Sequence, residues 1–233
     1  MKKMSMAEAG RTFSEVKDVI LSAHKESTVE DKIGFYNNWA ENYEQDVAIL
    51  DYRAPSLAAE CLSAAFQADR GKALVLDVAC GTGLVSTLLQ KKGFQNFAGV
   101  DGSEKMLQLA KSKGLFQDLK QWILGSAPLP VPAESYDAVV IVGALGVGHV
   151  PLSVVKELWQ AAKPGGYVCM TTRGNTSNKE FKAQLECLLK EMEREGLWVC
   201  VSVTEVEDWE KAVSADETGY IPGSVYLYRK IFI

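Results

Sequence analysis

The sequence predicts an α/β protein: a seven-stranded, mostly parallel sheet with helices on both faces, one antiparallel strand near its edge, and a helical cap at the N-terminal end. Three observations carry this expectation. From Ala73 onward, apolar runs of strand length alternate with segments of helical periodicity, the pattern of parallel strands joined by right-handed crossovers. Three amphipathic helical patterns precede the first of these runs. Two β-rich runs close the chain with no crossover helix between them, which reads as a hairpin.

In the cap, Phe13, Val16, Val19, Ile20 and Ala23 recur at helical spacing within residues 9–23, and His24 beyond them reads as a last-turn residue without chemistry. Thr28, with Asp31 three residues later, has the form of a capping arrangement that opens a second helix running to about Tyr43. A third helix covers about residues 52–66. Strands are then expected at 73–78, 96–100, 119–124, 138–142 and 167–172. Helices are expected at 84–91, 103–113, from Pro151 to about 162, and at 178–195. This makes five βα units. Runs 198–203 and 225–231 supply the hairpin. No repeat or linker divides the chain, so it reads as one domain, with residues 1–68 as cap or lid and 69–233 as core.

The 233 residues are 47% hydrophobic and 24% charged, enough apolar material for a full core. A net charge of -5 without any Lys/Arg cluster argues against nucleic acid as a partner. Five scattered cysteines, Cys61, Cys80, Cys169, Cys187 and Cys200, lack ligand spacing and read as reduced thiols, with no metal site. Charged residues interrupt the first 22 positions, so no secretory leader is expected, and no run reaches the roughly 20 apolar residues of a membrane span. The expectation is a soluble monomer of the cytoplasm or nucleus, with no membrane partner.

The most informative segment is Leu74-Val75-Leu76-Asp77-Val78-Ala79-Cys80-Gly81-Thr82-Gly83, a strand ending in an acid, then a glycine turn, then a helix. A dinucleotide site asks for Gly-x-Gly-x-x-Gly or Ala, but Ser86 stands at the third position. A carboxylate at Asp77 would also repel pyrophosphate, whereas it suits a ligand with an ammonium and a sulfonium group. A nicotinamide-dependent reductase is therefore disfavoured. Asp101, 24 residues beyond Asp77 at the end of the second strand, is placed to bind a ribose diol.

These residues resemble the first motif and the ribose-binding acid of the class I S-adenosylmethionine-dependent methyltransferases, which are built on a Rossmann-like sheet. Ser135-Tyr136-Asp137-Ala138-Val139 and Lys163-Pro164-Gly165-Gly166-Tyr167 resemble that family's fourth-strand motif and the turn before its fifth strand. Phe35 to Tyr43 is similar to the Tyr-x-x-Trp/Ala-x-x-Tyr helix of its small-molecule enzymes. The resemblance covers most of the chain. It implies S-adenosylmethionine as cofactor, S-adenosylhomocysteine as product, and cofactor contacts from Tyr36, Trp39, Asp77, Ala79, Cys80, Gly81, Gly83, Asp101, Gly102, Ser103, Met106, Val142 and Gly143. Where many members carry an adenine-binding acid, this chain has Ser126-Ala127, so a hydroxyl or backbone groups would take its place.

Several readings stay open at this point. Tyr36, Trp39 and Tyr43 form either a core stripe or a lid whose tyrosine faces the reacting groups. His149, in the loop after the fourth strand, is a candidate general base or a packing residue. Glu205, Glu207, Asp208 and Glu210 form a solvated face or select a cationic substrate. After the fourth strand stands Ile141-Val142-Gly143-Ala144-Leu145, not the Asn/Asp-Pro-Pro-Tyr of enzymes that methylate base or glutamine amino groups. The acceptor is thus expected to be a small molecule first and a protein side chain second. The alternative is a cofactor-binding scaffold or sensor with little turnover.

Overall fold

The computed structural model describes residues 11–23 and 28–232; the expected helix start at Ala9 and His24 lie outside them. The cap consists of α1 (Phe13–Ala23), α2 (Val29–Trp39), α3 (Tyr43–Ile49) and α4 (Ala54–Ala65). Thr28 caps α2 by accepting from the Asp31 amide at 3.1 Å, while its own amide donates back to the Asp31 carboxylate at 3.3 Å. The single helix expected to run to Tyr43 stops at Trp39. A 3-10 turn over Ala40–Asn42 redirects the chain into α3. The bend is held from inside, because the buried Asp46 carboxylate accepts from the Trp39 indole at 2.7 Å and from Arg11 at 2.8 Å. Val16, Ile20, Trp39, Val47 and Leu50 pack into the cap's own apolar cluster.

The remainder follows the order β1 (Leu74–Val78), α5 (Leu84–Lys91), β2 (Asn96–Asp101), α6 (Glu104–Ser112), β3 (Phe116–Gln121), β4 (Tyr136–Ile141), α7 (Val154–Ala161), β5 (Ala162–Arg173), α8 (Lys179–Arg194), β6 (Trp198–Lys211) and β7 (Tyr220–Lys230). The seven strands form one sheet in the order β3-β2-β1-β4-β5-β7-β6, and β7 alone is antiparallel to its neighbours. No helix was expected between the third and fourth strands, and residues 122–135 join β3 to β4 as a loop. Strand β3 lies three residues earlier than expected at both ends. It is an edge strand whose Gln117, Asp118 and Lys120 interrupt the apolar signal.

Alternation along the strands sorts the core onto two faces. Leu76, Val139, Ile141, Val168 and Met170 face α7 and α8, while Val75, Ala138, Val140 and Cys169 face α4 and α5. Asp77 shares the side of Val75 and therefore points beneath α5. The crossovers leave β1 and β4 in opposite directions, so the carboxyl ends of these two neighbours form a topological switch point, where open α/β sheets leave a crevice.

Strand β6 continues well past the expected end at Val203, and its pairing with β7 shifts register between Val206 and Glu210. A bulge of this kind re-aims side chains. Here Trp209 turns inward, 2% exposed, onto Gly223 of β7. A Cβ on Gly223 would overlap the indole, whereas Gly34 in α2 has open space around it. Gly223→Ala is therefore expected to cost about 1–3 kcal/mol by overpacking, and Gly34→Ala to gain about 0.4–1 kcal/mol by limiting the unfolded chain. Chemical denaturation of the two variants should give shifts of opposite sign.

Candidate active site

The turn after β1 is built from left-handed backbone. Ala79, Gly81 and Gly83 have φ of 56, 53 and 81°. Glycine adopts this region without penalty, but Ala79 does so at a cost of order 1 kcal/mol, a strain typical of functional turns. The turn directs the Gly81 amide at the Asp101 carboxylate, 2.8 Å away, and the Ser103 amide donates to the other Asp101 oxygen at 2.8 Å. Asp101 is thereby fixed at the rim of β2 with lone pairs left over. A Cβ at Gly81 would meet nothing within 4 Å, so space stands open before the turn.

That space belongs to a cavity of about 190 Å³ at the switch point. Of the residues expected to contact a cofactor, Tyr36, Ala79, Gly81, Asp101, Gly102, Ser103, Met106, Val142 and Gly143 line it, as do Tyr43 and His149. Others lie elsewhere. Trp39 is buried in the cap cluster and lines only a smaller neighbouring chamber, and Gly83 caps α5 with Phe116 packed on it. Cys80 is buried behind the turn, where burial holds its thiol well above the ordinary range. Ser126 and Ala127 are exposed and do not line the cavity; the Ser126 hydroxyl donates to the Ile123 carbonyl at 2.7 Å. Trp122, Ile123 and Leu124 form that wall instead.

Asp77 is 1% exposed beneath the turn and accepts from the Ser86 hydroxyl at 2.7 Å. Burial, and secondarily the nearby Asp101, raise its carboxyl to about 7. Asp101 is raised too, again chiefly by burial. Among the described residues neither acid has a salt bridge. A buried and a half-buried carboxylate at adjoining strand ends, with no salt bridge among the described residues, create a negative potential that a cationic ligand would relieve.

The cap closes over this ground through polar links. Asn37 of α2 accepts from the Ser103 hydroxyl at 2.7 Å and from the Lys105 amide at 3.2 Å. Glu44 of α3 accepts from Thr82 of the glycine turn at 2.6 Å and from Lys113 at 2.5 Å.

A smaller chamber of about 80 Å³ adjoins the cavity, and the two share Tyr36, Tyr43, Gly143, Ala144 and His149. Gly143, at φ 76°, has the Tyr52 hydroxyl where a Cβ would stand. His149 Nδ1 lies 3.1 Å from the Val147 carbonyl and Nε2 lies 3.1 Å from the Tyr36 hydroxyl. A carbonyl can only accept, so Nδ1 carries the proton and Tyr36 donates to Nε2. Burial, followed by Arg173 and Lys32, lowers His149 to about 4, and the ring is neutral at pH 7. Burial raises Tyr36 to about 12 and pushes Tyr43 and Tyr52 up as well.

Sequence reasoning did not find Lys32, Tyr52, Trp122 or Arg173 as site residues. Arg173 had a usable signal, because it ends a parallel strand at the carboxyl edge of the sheet. The acidic run divides: Glu205 and Asp208 are exposed and bridged to Lys182 and Arg53, while Glu210 lines the smaller chamber.

The profile of the methyltransferase-domain family matches residues 76–170. The chain is 48% identical over 191 residues to human methyltransferase-like protein 27, covering 82% of this chain and 78% of that protein. It is 30% identical over 145 residues to the demethylmenaquinone methyltransferase of Bacillus licheniformis, 60% of this chain and 61% of that one. Among solved structures, the fold is similar to a chain in the complex of Haloferax volcanii Trm112 methyltransferase activator with a methyltransferase. There the TM-score is 0.65 at 17% identity, over 88% of this chain and 99% of that one. An S-adenosylmethionine-dependent methyltransferase of Mesorhizobium loti gives a TM-score of 0.52 at 17% identity, over 74% and 98% of the two chains.

Two outcomes are expected from the charges of the site. Because folding raises Asp77 above its ordinary 3.8, the folded state favours its protonated form. That contribution to stability is full below about pH 4 and is lost as pH rises through about 7. Unliganded Asp77→Asn should therefore be more stable than the parent at pH 8 by about 1–3 kcal/mol, with the gap closing toward pH 4 in denaturation curves. The chain has two histidines, so proton NMR can follow His149 directly. Its ring signals should not titrate above pH 5.

Proposed function

Because this chain belongs to the class I S-adenosylmethionine-dependent methyltransferases, in the family of methyltransferase-like protein 27, we propose that the larger cavity holds S-adenosylmethionine and the smaller chamber a small-molecule methyl acceptor. The observation that carries this reading is a pair of acids at the ends of β1 and β2, Asp77 buried and Asp101 half-buried, unbridged among the described residues and beside open space at Gly81. A ligand with a ribose diol, an ammonium and a sulfonium matches that donor set. Asp101 would hold the diol, Asp77 would offset the positive charge from below the turn, and Trp122, Ile123 and Leu124 would cover an apolar ring.

When bound, S-adenosylmethionine supplies a methyl group that its own sulfonium makes electrophilic. What remains for the protein is alignment and exclusion of water, together worth up to roughly 7–11 kcal/mol of barrier. The neutral Tyr36–His149 pair and the bare backbone at Gly143 form the passage between the two spaces. His149, with Nε2 engaged and its basicity suppressed by burial, is a wall residue here and a poor proton acceptor at neutral pH.

Calorimetric titration with S-adenosylmethionine, S-adenosylhomocysteine and NAD tests the assignment. Both adenosyl ligands should bind at micromolar levels and NAD should not. Asp101→Ala and Asp77→Ala should each weaken binding at least tenfold, and His149→Ala less than threefold. Retained affinity in both aspartate variants would overturn the assignment.

A further inference from the structure

We propose that the acceptor is a flat molecule with an acidic hydroxyl, a phenol or an enol, and that this hydroxyl is received between Arg173 and Glu210. The proposal rests on the reading of the smaller chamber as the acceptor side. Arg173 ends β5 and Glu210 is turned inward by the β6 bulge, so two strands separated by β7 place opposite charges on one small chamber. Its other walls include the rings of Tyr36, Tyr43, Tyr52 and Trp209, planar surfaces that suit a planar guest. The chamber has less than half the volume of the cofactor cavity, the size for a single small ring.

The charges favour a hydroxyl over an amine. Arg173 lines the chamber itself while Lys32 acts on His149 from the side of the larger cavity, so an ammonium acceptor would meet the Arg173 cation in the chamber. Glu210 is raised to about 7 by burial, lowered in part by Arg173 and raised further by Glu217. The tyrosines facing it from α2, α3 and the turn before α4, Tyr36, Tyr43 and Tyr52, stay protonated at this pH. A carboxylate near 7 is suited to take a proton from an acidic hydroxyl, and a guanidinium holds the oxyanion that results.

The step balances as follows. The acceptor hydroxyl gives its proton to the Glu210 carboxylate. Its oxygen then bonds to the methyl carbon while the carbon–sulfur bond breaks, the electron pair remaining on sulfur. The products are a methyl ether, S-adenosylhomocysteine and a proton that Glu210 returns to solvent.

The test uses the full chain with S-adenosylhomocysteine and 4-nitrophenol, whose phenolate absorbs in the visible. The complex should bind 4-nitrophenol and raise its phenolate fraction relative to free solution. Arg173→Gln should lower that fraction about tenfold or more. Glu210→Gln, which removes the group that takes the proton, should keep the phenolate bound but release its proton to the buffer on binding, read by calorimetry in two buffers of different ionisation heat, whereas the parent retains it; benzylamine should not displace the probe. Both variants should bind S-adenosylhomocysteine within twofold of the parent, which shows them folded. If S-adenosylhomocysteine binds but 4-nitrophenol does not, if benzylamine binds more tightly, or if Arg173→Gln leaves the phenolate band unchanged, this inference fails while the cofactor reading stands. Failure of S-adenosylhomocysteine to bind the parent removes both.

Discussion

Two carboxylates at neighbouring strand ends, Asp77 buried and Asp101 half-buried, organise this molecule. Asp77 lies under the glycine turn and Asp101 faces it, and neither has a salt bridge among the described residues. Burying charge without a counter-ion is costly, so the surroundings are arranged to bear it. The Gly81 and Ser103 amides hold Asp101, and the Ser86 hydroxyl holds Asp77. The left-handed residues of the turn aim the Gly81 amide at the Asp101 carboxylate while leaving the space in front of it clear. The cap, through Asn37 and Glu44, closes onto the same turn and the start of α6.

Much of this was legible in the chain. Asp77, Gly81 and Asp101 sit where apolar runs end, and the strand–turn–helix punctuation around them is local, so spacing alone locates them. The helical cap and the closing hairpin could be read for the same reason. Strand β3 was harder, because an edge strand buries too little to keep apolar periodicity. The loop wall fell on Trp122, Ile123 and Leu124 and not on Ser126, since the turn carries the chain outward after Leu124.

The smaller chamber was not legible, and the reason is topological. Tyr36, Tyr52, Arg173 and Glu210 come from the cap, the turn before α4, β5 and β6, elements that no local pattern ties together. In an unbroken strand, side-chain direction follows parity, and Glu210 belonged to a run of acids that reads as a wet surface. The register shift after Val206 breaks that parity. One unpaired stretch of backbone moves Trp209 into the core and Glu210 into the chamber, leaving Glu205 and Asp208 outside.

Helix α2 carries adjacent residues with separate duties: Tyr36 meets His149 where the two spaces adjoin, and Asn37 is tied to Ser103 on the side of the larger cavity. A helix is stiff over one turn, so these two contacts cannot part independently. A movement of α2 would therefore break both contacts together and open both spaces in one step. On the proposed reading, such a movement would couple release of the spent cofactor to release of the methylated product.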